Sequence, residues 1–141
     1  MPRWERTIDI NATPEAVWAV MAEIERWPEW TPSILSVKPV GDSQLVPGAQ
    51  ARVHAKGTPE STYTVTEVSP NRSFTWTTSV RGAKTVAGHV ISPAGNGSRV
   101  TLSVEVGGLA GTIFKPLISK TITTNLDHEA EGLKRRAEAA A

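Results

Sequence analysis

His89 is the ionisable side chain best placed for chemistry. In the run KTVAGHVIS the alternation Ala87, His89, Ile91 sets an imidazole among apolar neighbours on one face of a strand. There it would hydrogen-bond a ligand carbonyl or hydroxyl, act as a general base near neutral pH, or serve as a core histidine bonded to backbone or to Tyr63. A slip of one residue would turn Gly88 and Val90 inward and expose the ring to solvent. His54 alternates away from Ala51, Val53 and Ala55 beside Arg52 and Lys56, and His128 falls next to Glu129 on the polar side of a helical stretch, so both read as surface groups. The three histidines show no HxH or HExxH spacing, and no metal or cofactor is expected. The absence of cysteine excludes disulfides, thiolate metal sites and cysteine nucleophiles together. No GxSxG, Walker loop or dinucleotide fingerprint occurs. GNGSR, between two strand patterns, reads as a hairpin, and no paired carboxylates stand out.

Around His89, the strand positions Tyr63, Trp76 and Thr78 would form an apolar wall carrying two hydroxyls, suited to a ring-containing or acyl ligand. Asn125, beside an apolar helical stripe, could offer an amide. In IERWPEWTPSI, Trp27 and Trp30 are followed by Pro28 and Pro32, which would hold both indoles in an extended segment with little chain entropy left to lose. They would gate one end of a cavity or cap the core where helix meets sheet. The candidate ligand-binding set is Trp30, Val53, Tyr63, Trp76, Thr78, His89, Leu102, Leu117 and Asn125, with His89 the one catalytic candidate.

The elements that must position these residues follow from the patterning. WERTIDI alternates as a first strand, with Trp4, Arg6, Ile8 and Ile10 on one face. Thr13-Pro14-Glu15 supplies an N-cap, a proline at the first helical position and a first-turn acid, and the helix it opens cannot extend beyond about residue 26 because of Pro28. Turn signals then recur about every ten residues and separate ILSVKPV, AQARVHAK, STYTVTEV, SFTWTTSV, KTVAGHVIS and SRVTLSVEV, six strands linked by tight turns. Beyond Gly107-Gly108 a stripe of Phe114, Ile118, Ile122, Leu126, Ala130, Leu133 and Ala137 predicts a helix from about 109 to 138, kinked or broken near Pro116. Strand, helix, six strands and a long helix make an α+β domain in which a curved antiparallel sheet covers the last helix. Ala51, Ala55, Thr78 and Ala87 are small for the middle of such a wall, so either the helix sinks inward or a hollow remains.

The chain has 141 residues, enough for a single domain spanning 1–141, with a formal charge of +1 and no basic stripe for nucleic acid. No apolar run reaches the ~18 residues needed to span a bilayer. MPRWERTIDI lacks the shape of a signal peptide. A cytoplasmic monomer or weak homodimer without stable membrane insertion is expected.

INATPEAVWAVMAEIERWPEWTPSI, EVSPNRSFTWTT, GHVISPAGNGSRVTLSVEV and EAEGLKRRAE together resemble the SRPBCC (START-like, helix-grip) superfamily, specifically the bacterial group labelled polyketide cyclase/dehydrase. The resemblance implies a seven-stranded sheet gripping a C-terminal helix, with an apolar ligand tunnel between them and two short helices closing one end. Lys56-Gly57-Thr58-Pro59 departs from the glutamine-proline-glycine run more usual there, and Gly107-Gly108-Leu109 lacks the proline that commonly opens the last helix. The expected function is binding of a hydrophobic small molecule of lipid, polyketide, quinone or aromatic character. A cyclase, dehydratase or hydrolase acting on such a ligand is one alternative, and an interaction module without a ligand is another.

Overall fold

The computed structural model describes residues 1–42 and 44–140. Strand β1 (Arg3–Ile10) leads to helix α1 (Pro14–Ala22) and a 3-10 helix (Ile24–Glu29). Then come β2 (Ile34–Val40), β3 (Gln50–Ala55), β4 (Ser61–Ser69), β5 (Ser73–Val80), β6 (Ala83–Ala94) and β7 (Gly97–Val106), and finally α2 (Gly108–Ile113) and α3 (Lys115–Ala140). The seven strands form one antiparallel sheet in the order β1-β7-β6-β5-β4-β3-β2, so every neighbouring pair but one is also consecutive in sequence. Register shifts between Ile34 and Ser36 and between Val65 and Glu67 add the local twist that bends such a sheet. The expected α+β architecture, a curved seven-stranded sheet wrapped around a long C-terminal helix, is the one observed.

Alternation decides which side of each strand is buried. The rows Trp4–Val104–Ala87–Trp76 and Arg6–Leu102–His89–Phe74 cross four strands each and line the concave face. The C-terminal half of α3 seals that face with Leu126, Ala130, Leu133 and Ala137. Arg6 fastens the helix to the sheet edge, its Nε donating to Asp127 at 3.0 Å and its second guanidinium nitrogen to Glu131 at 2.9 Å. Gly132 explains why α3 can lie so close to the 3-10 helix, because a Cβ at that position would run into the Trp30 carbonyl. No helix among the described residues is long and apolar enough to cross a membrane.

Two local expectations change. The Trp27-Pro28 segment is not extended: α1 ends at Ala22 and the chain re-enters a 3-10 turn containing Pro28. The turn tolerates proline because its bonds fall on either side of the missing donor, from Arg26 N–H to Glu23 and from Trp30 and Thr31 N–H to Trp27. The last helix is broken, as Pro116 suggested, but the break also takes Phe114 out of the stripe. Its carbonyl accepts from the N–H groups of Leu117 and Ile118 while its ring faces water.

Candidate functional site

The alternation in β6 places His89 on the concave face, only 4% exposed, with its ring stacked on Phe74 at 4.0 Å and 7° between planes. Trp27 and Trp76 complete a ring cluster around it, with centroids 5.5 and 6.1 Å from the imidazole. The 3-10 helix delivers Trp27 to this cluster, and its indole N–H donates to the Met21 carbonyl at 3.0 Å, so the ring is satisfied as well as packed. Trp30 lies 5.6 Å from Trp27, buried, and its own indole N–H finds no acceptor among the described residues.

Both imidazole nitrogens are engaged by groups that ordinarily accept. Nδ1 lies 3.1 Å from the Phe74 carbonyl, which can only accept, so Nδ1 carries a proton. Nε2 lies 3.5 Å from the Glu129 carboxylate, itself 13% exposed. An imidazole nitrogen and a carboxylate oxygen therefore face each other in a largely buried setting. At 3.5 Å the contact is longer than a direct hydrogen bond. Tyr63, across from Trp76 at 4.9 Å, feels the same carboxylate: burial first and the Glu129 charge second push its phenol up to about 12.

The sequence-expected residues are distributed unevenly around this centre. Trp30, Val53, Trp76, Thr78, His89 and Leu102 are buried and Tyr63 is partly buried. The Thr78 hydroxyl is spent on the Thr62 carbonyl at 2.8 Å, and the Asn125 amide donates to the Lys56 carbonyl at 2.9 Å, tying α3 to the β3–β4 turn. Leu117 is 75% exposed, outside the ring cluster. His54 is half-buried on β3, and His128 is not the solvated group expected, since its Nδ1 is buried without a partner among the described residues. Glu129 was missed because it stands in the charged run that ends the chain, yet its spacing three after Leu126 and four before Leu133 places it on the inward stripe. Among the described residues no group of three or more His, Cys, Asp or Glu is arranged to hold a metal. The middle of the wall, expected to be underfilled, is occupied by the rings, and a hollow of about 10 Å³, room for one water, lies towards the β2–β3 connection between Trp76, Ile24 and Val65 and Pro39, Asp42 and Gln44.

Residues 1–138 match the family described as polyketide cyclase / dehydrase and lipid transport. The chain belongs to this family. No curated protein sequence matches it. Among solved structures it is similar to TTHA0849 from Thermus thermophilus, with 19% identity over 99% of both chains and a TM-score of 0.77. It is also similar to Ara h 8.0201, with 15% identity over 98% of both chains and a TM-score of 0.67. The di-domain ARO/CYC protein StfQ of the steffimycin biosynthetic pathway shares 11% identity at a TM-score of 0.77, and there the match covers 98% of this chain and 51% of StfQ. At these identities the likeness is one of fold, and it agrees with the SRPBCC, helix-grip resemblance carried by the sequence.

Proposed function

We propose that this member of the polyketide cyclase / dehydrase and lipid transport family binds a hydrophobic small molecule between the concave face of the sheet and the N-terminal half of α3. The observation that carries the proposal is the uneven cover of that face. Every buried residue of α3 lies from Leu126 onward, whereas from Lys115 to Asn125 none is buried. Facing that loose half, at the level where the Trp4 indole N–H reaches Ser119 at 3.2 Å, the wall residues Val104 and Ala87 stay only partly buried, as does Tyr63 nearby. A ligand that lifts this half of the helix gains an apolar wall ending on Tyr63, Glu129 and His89, while Trp27 and Trp30 close the far end. The test is uptake of parinaric acid, a fluorescent fatty acid, with mass spectrometry of apolar material released on denaturation. Saturable uptake that Ala87→Trp blocks without unfolding the protein is expected. No saturable uptake and nothing released would sink the proposal.

A second reading, acid–base catalysis on the bound molecule, is favoured by one specific observation, the approach of His89 Nε2 to the Glu129 carboxylate at 3.5 Å, with the Tyr63 phenol close enough to feel the same carboxylate. His89→Asn separates the two. Unchanged parinaric acid affinity with lost turnover of a polyketide-like substrate supports catalysis, and weakened affinity alone supports carriage.

A further inference from the structure

Of the large apolar residues left exposed, Met1, Leu35, Val40, Val46 and Val90 are scattered, but four fall within one stretch of nine residues. Leu109 and Ile113 lie in α2, Phe114 at its junction with α3 and Leu117 in the first turn of α3, and each is at least half exposed, Leu109 and Ile113 at 79% and 63%. The backbone beneath them is held from behind. Gly107 N–H donates to the Lys84 carbonyl at 2.8 Å, and Gly111 packs on the Val106 carbonyl where a Cβ would collide. A backbone anchored at Gly107 and Gly111 thus presents four large apolar side chains to water within nine residues, the composition expected of an interaction surface.

Charge decides what kind of surface it fits. The chain has no Asp or Glu between Glu105 and Asp127, while Lys115 and Lys120 flank the strip. Lys84 and Lys56, whose backbone carbonyls accept from Gly107 and Asn125, are two further basic residues on the backbone that adjoins α2 and α3. Among the described residues none of these four lysines has an ion-pair partner. A second copy of the chain docking through the same strip would set like charges against one another. An anionic lipid surface offers the complement to both features, acyl chains for the strip and negative headgroups for its rim.

We propose that α2 and the first turn of α3 dock the protein peripherally on anionic membranes, with Leu109, Ile113, Phe114 and Leu117 in the headgroup layer and the lysines on its phosphates. The proposal rests on the carrier function only for its purpose: the docked end adjoins the loosely covered wall, so an apolar molecule would pass between bilayer and protein without crossing open water.

The experiment sediments the full chain with vesicles of phosphatidylcholine alone and of phosphatidylcholine mixed with phosphatidylglycerol. Binding to the anionic vesicles should exceed binding to neutral ones by about tenfold and weaken at high salt. It should be lost in Leu109→Ser/Ile113→Ser and in Lys115→Glu/Lys120→Glu, whose folded state is checked by their thermal melts. No binding, equal binding to both vesicle types, or binding indifferent to both double variants overturns the proposal. So does a concentration-dependent dimer abolished by Leu109→Ser/Ile113→Ser in a protein that ignores vesicles. Parinaric acid uptake without vesicles reads the carrier function separately: uptake retained without vesicle binding sinks docking alone, and uptake absent sinks carriage while the vesicle result stands.

Discussion

Tyr63 is the single tyrosine of the chain, so its titration can be followed by near-ultraviolet absorbance without interference. Burial and the nearby Glu129 carboxylate raise its folded value to about 12 from an ordinary 10.0. A raised value favours the neutral phenol in the fold, so the stability it lends is complete below the unfolded value and disappears as pH climbs through about 12, a loss of about 3 kcal/mol at most. A titration midpoint near 10 would remove Glu129 and burial as influences. Glu129→Gln should lower the midpoint, though not back to the ordinary value, because burial is the larger cause and remains. At this scale the sequence was partly legible. Alternation in KTVAGHVIS offered two registers, and the structure takes the one that puts His89 inside with Ile91. Glu129 was not legible by chemistry, since a carboxylate among Asp127, Glu131 and Lys134 looks like solvent-facing charge until its helical phase against Leu126 and Leu133 is counted.

Elements depend on close approach as much as on patterning. Gly132→Ala would push α3 off the Trp30 carbonyl, and since backbone cannot yield as a side-chain tip can, a loss of about 1–3 kcal/mol is expected in urea denaturation. An unchanged midpoint would mean that the 3-10 helix and α3 slide apart freely. Trp30→Ala should cost about 3–5 kcal/mol, the range for a truncated core aromatic, because Trp30 is buried against Trp27. If instead parinaric acid uptake accelerates with stability intact, Trp30 is a gate. The strands, α1 and its Thr13 cap were readable because their signals are local: alternation, a capping hydroxyl that accepts from the Ala16 N–H at 3.2 Å, and turns at left-handed Asn71 and Arg81. The 3-10 geometry around Pro28 and the outward turn of Phe114 were not, because both follow from how neighbouring helices fit against the sheet.

For the molecule as a whole, the C-terminal part of α3 is tied by exposed ion pairs, one of them to the 3-10 helix. Glu29 is held below its usual range by the hydrogen bond from Arg136, and Glu138 by the Lys134 ammonium and then the Asn11 N–H. Lowered carboxylates stabilise the fold above their ordinary value of 4.5, and that contribution fades as pH falls through the folded values. Melting temperature should therefore drop between about pH 5 and about pH 3, and less steeply in Lys134→Ala/Arg136→Ala. A wild-type slope unchanged in that variant would place the acid sensitivity elsewhere. The β1–β7 ladder, joining Arg3 to Glu105 and Ile10 to Ser98, has a consequence for how the chain reaches this state. Six strands can zip hairpin by hairpin as they emerge from a ribosome, but the first-made strand must wait, unpaired, for the last-made one. Closure of that ladder spans most of the polypeptide and is the slow, entropically expensive step of assembly. Nascent chains halted before residue 97 should accordingly carry a free edge that chaperones or a like-minded neighbour would seize.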